Sequence, residues 1–311
     1  MGTLKGGRPL RVGVQLPEVE REVRWPELRE MARVAERVGF DSVWVGDHLL
    51  YRDPGTPPRG PWEAWSVLAA LAAVTERVEL GPLVASASFH NPAMLAKKAA
   101  TVDEISGGRL ILGLGAGWNE VEYRAFGFPF DHRVGRFDEA FAIVRGLLRE
   151  GHVDFEGRYH RARDCVLVPR GPRPNGPPIM VGTTGARMLR LAAAHAEAWN
   201  AWFSWYGNRA EGVAKIRDAV DAACADVGRD PSTLERTVAV LIQVGRGPTT
   251  RRGGPVEQAP PLMGPPDELA AELRALAREG IAHVQLVLDP ITVGSIERLA
   301  PVLEILDHPR P

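Results

Sequence analysis

The 311-residue chain is 45% hydrophobic and 25% charged, the balance of a globular protein with a sizeable core rather than a disordered or fibrous one. A formal net charge of −1 leaves no electrostatic footprint for nucleic acid or an anionic membrane, and two distant cysteines, Cys165 and Cys224, argue against a disulfide framework or a zinc site. No run reaches the roughly 18 apolar residues of a membrane span and residues 1–9 carry no apolar signal region, so a cytoplasmic location is expected.

Residues 11–16 (RVGVQL) read as a first strand. A helix opens at Trp25-Pro26, with proline in its first turn, and closes at Gly39; Leu28, Met31, Val34, Ala35 and Val38 recur at helical spacing. A second strand, 42–45, runs into Gly46-Asp47-His48. Beyond a Pro/Gly loop at 52–61, a second helix is expected over 62–75 and a third strand over 78–85. Asn91-Pro92 is a helix start, and that helix runs to Ile105 before the turn Ser106-Gly107-Gly108, which suits positive φ. The fourth strand, 110–114, is apolar on both alternating sets, as in a parallel strand covered on both faces. Gly115-Ala116-Gly117 then removes side chains where the strand ends, so backbone amides can approach a bound group.

Residues 118–134 read as a long loop, 136–150 as a fourth helix, and 151–178 as an insertion with a hairpin around Glu156-Gly157. A fifth strand, 179–181, leads through Gly182-Thr183-Thr184-Gly185 to a helix at 186–195. Strands at 198–203, 237–244 and 283–288 alternate with helices at 209–227, 267–278 and 295–306, and the Gly/Pro/Arg stretch 246–266 reads as a mobile loop or lid.

Eight strand–helix units in alternation imply a parallel sheet with right-handed crossovers. Eight units close naturally into a (β/α)8 TIM barrel, an α/β fold, here expected as one domain over 1–311; a doubly wound open sheet is the structural alternative. In a barrel the functional groups lie at the C-terminal ends of the strands. There the sequence places Asp47 and His48, then Ala85 and Ser86, then Gly115, Ala116, Gly117, Trp118 and Asn119, then Gly182, Thr183, Thr184 and Gly185. Carboxylates are few, none has metal-ligand spacing with His, and there is no G-x-S-x-G element. Such a set suits a flat organic cofactor that carries the chemistry itself. His48 is the best single acid–base candidate; its alternative is to cap the second helix or pack under the 52–61 loop. Asp47 either orients His48 or satisfies loop amides. The 182–185 turn offers helix-start amides and two hydroxyls to a phosphate, or is simply a tight turn with a threonine cap. Trp118 and Trp202 are candidate pocket walls.

The stretch LAKKAATVDEISGGRLILGLGAGWNEVEYRAFG strongly resembles the bacterial luciferase-like monooxygenase superfamily, best its branch dependent on the deazaflavin coenzyme F420. GFDSVWVGDHL (39–49), VELGPLVASASFHNPAMLAKKAAT (78–101) and PPIMVGTTGARMLRLAAAHAEAWN (177–200) extend the resemblance over most of the chain. It implies a luciferase-like TIM barrel with an insertion between helix four and strand five, a homodimer, and a flavin or deazaflavin across the strand ends. It implies that His48, with Asp47, is catalytic, and that Ala85, Ser86, residues 115–119 and residues 182–185 bind the cofactor. It also implies a non-proline cis peptide within 82–86. The activity implied is hydride transfer between F420 and a small organic substrate. The alternatives are an FMN-dependent monooxygenase fed by a separate flavin reductase, and a non-catalytic flavin-binding paralogue. Arg170, Arg173, Arg187 and Arg190 are candidates to meet the cofactor's oligoglutamate tail, and loops 52–61, 119–134 and 246–266 to set the substrate. Two departures stand out: Trp118 occupies a place where some reductases of the family carry a glutamate, and Thr183-Thr184 replaces glycines.

Overall fold

A computed structural model describes residues 7–245 and 259–308. In chain order, β1 (Arg11–Gln15), α1 (Trp25–Val38) and β2 (Ser42–Val45) lie where the pattern predicts, and Gly39 ends α1 with φ 103°. α2 (Ala64–Val74) follows, its first amides held by the Glu63 carboxylate. The expected third strand is two short ones, β3 (Glu79–Pro82) and β4 (Ala85–Ser86), separated by a cis Leu83-Val84 peptide inside the 82–86 window. α3 (Pro92–Ser106) starts with the Asn91 side chain accepting from the Ala93 and Met94 amides. It ends at Gly107 and Gly108, with φ 68° and 89°. β5 (Leu112–Gly115) is buried throughout.

Residues 118–134 are not one loop. They hold α4 (Glu120–Phe126), and α5 (Arg133–Glu150) begins three residues ahead of its expected start. Two acidic residues in the first turn of α4 and a left-handed Gly127 at its end (φ 78°) explain so short a helix. The insertion is an antiparallel hairpin, β6 (His152–Glu156) with β7 (Arg161–Val166). Then come β8 (Ile179–Gly182), α6 (Ala186–His195), β9 (Ala198–Ala201), α7 (Ala210–Asp226), β10 (Glu235–Gln243), α8 (Pro266–Arg278) and β11 (His283–Asp289). The last expected helix is broken into α9 (Val293–Glu297) and α10 (Ala300–Asp307), because Pro301 has no N–H to continue the ladder. Of the stretch 246–266, residues 246–258 lie outside the described residues. Beyond them Leu262 bridges Ile242, donating to the Leu241 carbonyl at 2.9 Å.

The chain divides into two compact units, Met1–Trp44 with Met180–Pro311, and Val45–Ile179. In the first, β1 pairs in parallel with β2 and β11, β10 with β11 and β9, and β9 with β8. Val12, Val14, Val238, Val240, Val284 and Leu286 form its dry interior. The Arg8 guanidinium, itself buried, bonds Asp41 at 2.8 Å and Asp307 at 2.7 Å, joining the two ends of the sequence. In the second unit β4 pairs in parallel with β5, and Leu80 bridges Leu110. Arg109 closes its own turn by donating to the carbonyls of Ala72, Thr75, Val78 and Ser106 at 2.7–2.9 Å. No helix among the described residues is long and apolar enough to cross a membrane.

One polar cluster lies in the first unit's core. The Trp44 indole N–H donates to Ser42 Oγ at 2.7 Å, and Ser42 Oγ lies 2.8 Å from His283 Nε2, within hydrogen-bond reach. Gly13 leaves room for this, because a Cβ there would lie 2.1 Å from Ser42 Oγ. Burial, and then the Arg11 charge, push the His283 imidazole well below the ordinary histidine range. The native state therefore keeps His283 neutral while the unfolded chain protonates it near pH 6.5. Stability is fully present above that pH and falls as pH drops below it, by up to about 1.4 kcal/mol per pH unit. His283→Gln, whose amide offers Ser42 both a donor and an acceptor but does not titrate, is expected to lose stability less steeply under acid. Urea unfolding at about pH 7.5 and about pH 5.5 checks this, and equal acid slopes for both proteins would contradict it.

Candidate functional site

Within the second unit, the loop that leaves β2 is held from two sides. Asp47 is buried, and its Oδ2 accepts from the Ser86 amide at 2.9 Å and lies 3.0 Å from His90 Nε2. It thereby fixes the end of β4. The carboxylate on the His48 ring is a different one: Nδ1 lies 2.8 Å from Glu122 Oε1. Glu122 Oε2 accepts from the Leu49 amide at 2.8 Å and the Leu50 amide at 3.3 Å. Asn119, the residue before α4, adds a bond from Nδ2 to the Leu50 carbonyl at 2.9 Å. The start of α4 thus grips residues 48–50 through side chain and backbone alike. His48 does not cap α2, since Glu63 does that. Its ring centroid lies 4.9 Å from that of Tyr51 and 5.5 Å from that of Trp118. Trp118 is 62% exposed, a large apolar surface beside the half-buried His48 ring.

The glycine loop after β5 is shaped mainly by the protein itself. Gly117 has φ 74°, and a Cβ there would fall 1.8 Å from Tyr123 Oη and 2.6 Å from Ser86 Oγ. The Tyr123 hydroxyl donates to the Ala116 carbonyl at 2.9 Å and lies 2.8 Å from Ser86 Oγ. Arg133 donates to the Gly117 carbonyl at 2.7 Å. The space expected for a ligand at Gly117 is therefore taken by Tyr123, and burial pushes that phenol up from its ordinary range. Gly115 is buried and Ala116 half-buried, so the outward surface of this loop is the Trp118 indole.

Of the arginines proposed for an anionic tail, two are seen to bind other parts of the protein. Arg173 holds the buried Asp103 carboxylate with Nε at 3.0 Å, and Arg170 donates to the Leu148, Arg149 and Pro174 carbonyls at 2.7–3.2 Å, so both are engaged within the second unit. Arg187 and Arg190 lie exposed on α6.

In the first unit, Thr183 is buried and its Oγ1 accepts from the Gly185 amide at 3.1 Å, while Trp199 Nε1 donates to its carbonyl at 2.7 Å. Thr184, Gly185 and Ala186 are exposed, and no side chain caps the start of α6. A buried polar row runs alongside: Asn200 Nδ2 donates to Thr237 Oγ1 and to Gln285 Oε1, both at 2.8 Å. Gln285 Nε2 and Gln15 Oε1 are buried with no hydrogen-bond partner among the described residues, a donor and an acceptor that a polar ligand could meet. Trp202 stacks at 4.6 Å on Phe203 and is only half-buried.

Sequence reasoning singled out His48, Asp47, Ser86 and Trp118, and the structure gathers them in one unit. It did not weigh Tyr123, His90 or Arg133, and left Glu122 in a loop. The spacing Asn119-x-x-Glu122 ahead of Gly127 is a helix-start and helix-stop signal that would have found it.

Residues 10–252 match the family model described as luciferase-like monooxygenase. Among curated proteins, the chain is 33% identical over 172 residues to the 5,10-methylenetetrahydromethanopterin reductase of Archaeoglobus fulgidus, covering 55% of this chain and 48% of that protein. It is 32% identical over 229 residues to the F420-dependent glucose-6-phosphate dehydrogenase of Intrasporangium calvum, covering 69% and 64%. The aligned part thus spans about half to two thirds of the length of these relatives. Among solved structures, an F420-dependent secondary alcohol dehydrogenase in complex with an F420-acetone adduct superposes with TM-score 0.79 at 20% identity, over 96% of this chain and 99% of that one. The coenzyme F420-dependent tetrahydromethanopterin reductase from Methanopyrus kandleri gives 0.78 at 19%, over 96% and 99%. The monooxygenase RslO1 from Streptomyces bottropensis gives 0.75 at 23%, over 96% and 98%. At such identities the likeness establishes the fold class, the α/β TIM barrel that the strand–helix alternation implied, and sets the doubly wound alternative aside.

Gly117→Ala meets both a left-handed backbone and the Tyr123 hydroxyl. It is expected to cost more than about 2 kcal/mol, measured by chemical denaturation, with Tyr123→Phe in the same chain recovering part of the loss. A stable, unperturbed Gly117→Ala protein would contradict this account of the loop.

Proposed function

Because the chain belongs to the luciferase-like monooxygenase family, we propose that it is an F420-dependent oxidoreductase that moves a hydride between the deazaflavin and a small organic substrate. The observation that carries the reading is His48 at the end of β2, held by Glu122 with Tyr51 and the exposed Trp118 against its ring. Support for the cofactor comes from the names of the relatives: F420 recurs among both the curated proteins and the solved structures.

When bound, the deazaflavin supplies a carbon that carries a hydride and has little reactivity toward oxygen. The residues fit such a group. Thr184, Gly185 and the uncapped start of α6 offer exposed donors for a phosphate. In the second unit, Ala85, Ser86 and residues 115–119 are the candidates to border the ring, with the Trp118 indole as their exposed surface. Arg187 and Arg190, exposed on α6, are candidates for the anionic tail. His48 would give or take the substrate proton, or stabilise charge that develops on the substrate. Trp118 puts an indole where some family reductases have an acid. It favours a substrate with apolar or planar surface over a sugar phosphate.

The reading of RslO1 as a monooxygenase favours one competitor, an FMN-dependent monooxygenase supplied by a separate reductase. Titration with F420 and FMN in parallel separates the two. F420 is expected to bind, and FMN to bind more weakly; tight FMN binding without F420 affinity would sink the proposal. His48→Ala is expected to keep F420 binding and to lower turnover by about 10²–10⁴-fold. Unchanged turnover would make His48 structural.

A further inference from the structure

We propose that Glu122 is a positioning residue that fixes His48 in the Nδ1–H tautomer, placing the lone pair of the neutral imidazole on Nε2. The inference rests on the reading of His48 as the proton-handling group. A carboxylate offers only acceptors, so the short contact from Nδ1 to Glu122 Oε1 requires the ring to donate there. The other oxygen, Oε2, is claimed by the Leu49 and Leu50 amides, which cannot act otherwise than as donors. Those two bonds hold the carboxylate plane, so Oε1 cannot swing away from the ring. Glu122 is 1% exposed, and water does not compete with this arrangement. Asp47, the carboxylate next to His48 in sequence, is occupied with the Ser86 amide and His90.

The tautomer decides what His48 can do. With the proton fixed on Nδ1, Nε2 would be the atom that takes the proton as a substrate O–H or N–H bond breaks, with a bound deazaflavin supplying the hydride acceptor. In the opposite direction, with a reduced deazaflavin supplying the hydride, protonated Nε2 would return that proton to the substrate. In both directions the Nδ1 proton stays in its bond to Glu122. The opposite tautomer would present an N–H from a neutral ring and would have no lone pair to accept the proton.

Glu122→Gln exposes the difference. The two loop amides would keep the single remaining carbonyl oxygen, leaving the NH₂ group to face Nδ1. His48 would then have to accept at Nδ1 and carry its proton on Nε2. Nitrogen NMR on protein with isotope-labelled histidine reads this directly, with the His48 signals assigned by their loss in His48→Gln. In the native protein, at a pH where His48 is neutral, Nδ1 is expected to give the protonated, pyrrole-type signal and Nε2 the pyridine-type one. In Glu122→Gln the two are expected to exchange. A pyridine-type Nδ1 in the native protein, or an unchanged pattern in the variant, would overturn the proposal. If the variant does not fold, the native spectrum decides alone. Absence of F420 binding together with an Nδ1–H ring would defeat the functional reading and leave the tautomer assignment standing.

Discussion

The second unit of this protein turns on one buried carboxylate. Glu122 reaches from the third position of a seven-residue helix to the loop after β2, where it takes an imidazole and two backbone amides. Isolated, a helix of that length does not form in water. Here its first turn is held by what it grips, and what it grips is held by it. Leaving either side unpaired strands buried polar groups, each at a cost of about 1–3 kcal/mol. The loop conformation, the orientation of His48 and the existence of α4 are therefore one coupled feature.

A second chain of bonds fixes the neighbouring strand ends to the same place. Asp47 holds the Ser86 amide, Ser86 Oγ meets Tyr123 Oη, and Tyr123 donates to the Ala116 carbonyl. The ends of β2, β4 and β5 are tied through side chains of short reach, and Gly117 is glycine because Tyr123 passes where a Cβ would be. These strand ends carry an exposed indole and a histidine held by a carboxylate. The first unit supplies features of another kind: an uncapped helix start and a buried amide row with an unspent donor and acceptor.

Much of this was legible in the sequence. Period and capping signals placed β2 and α6 to the residue, because SVWV is bounded by turn residues and ARMLRLAAAH follows a glycine-bounded turn. Asn91-Pro92 and Gly107-Gly108 marked both ends of α3 for local steric reasons. What failed was non-local. The division of strand three was not expected, and the cis peptide at Leu83-Val84 followed from family resemblance and not from propensity. α4 was hidden because seven residues show too little periodicity, and α9 and α10 were merged because the apolar pattern continues across Pro301. His48 was found as a residue type, whereas its partner lay 74 positions away and no spacing rule links them. Gly117 was read as an opening for a ligand, since sequence shows a missing side chain but not which neighbour fills the space.

The grip of Glu122 on the loop after β2 can be measured without any ligand. Native-state hydrogen exchange, resolved at the Leu49 and Leu50 amides, reports whether those two N–H groups are held. The carboxylate clasp predicts protection matching that of the amides in α4, since both open together. Exchange of Leu49 and Leu50 at the rate of an open loop, with α4 still protected, would contradict it.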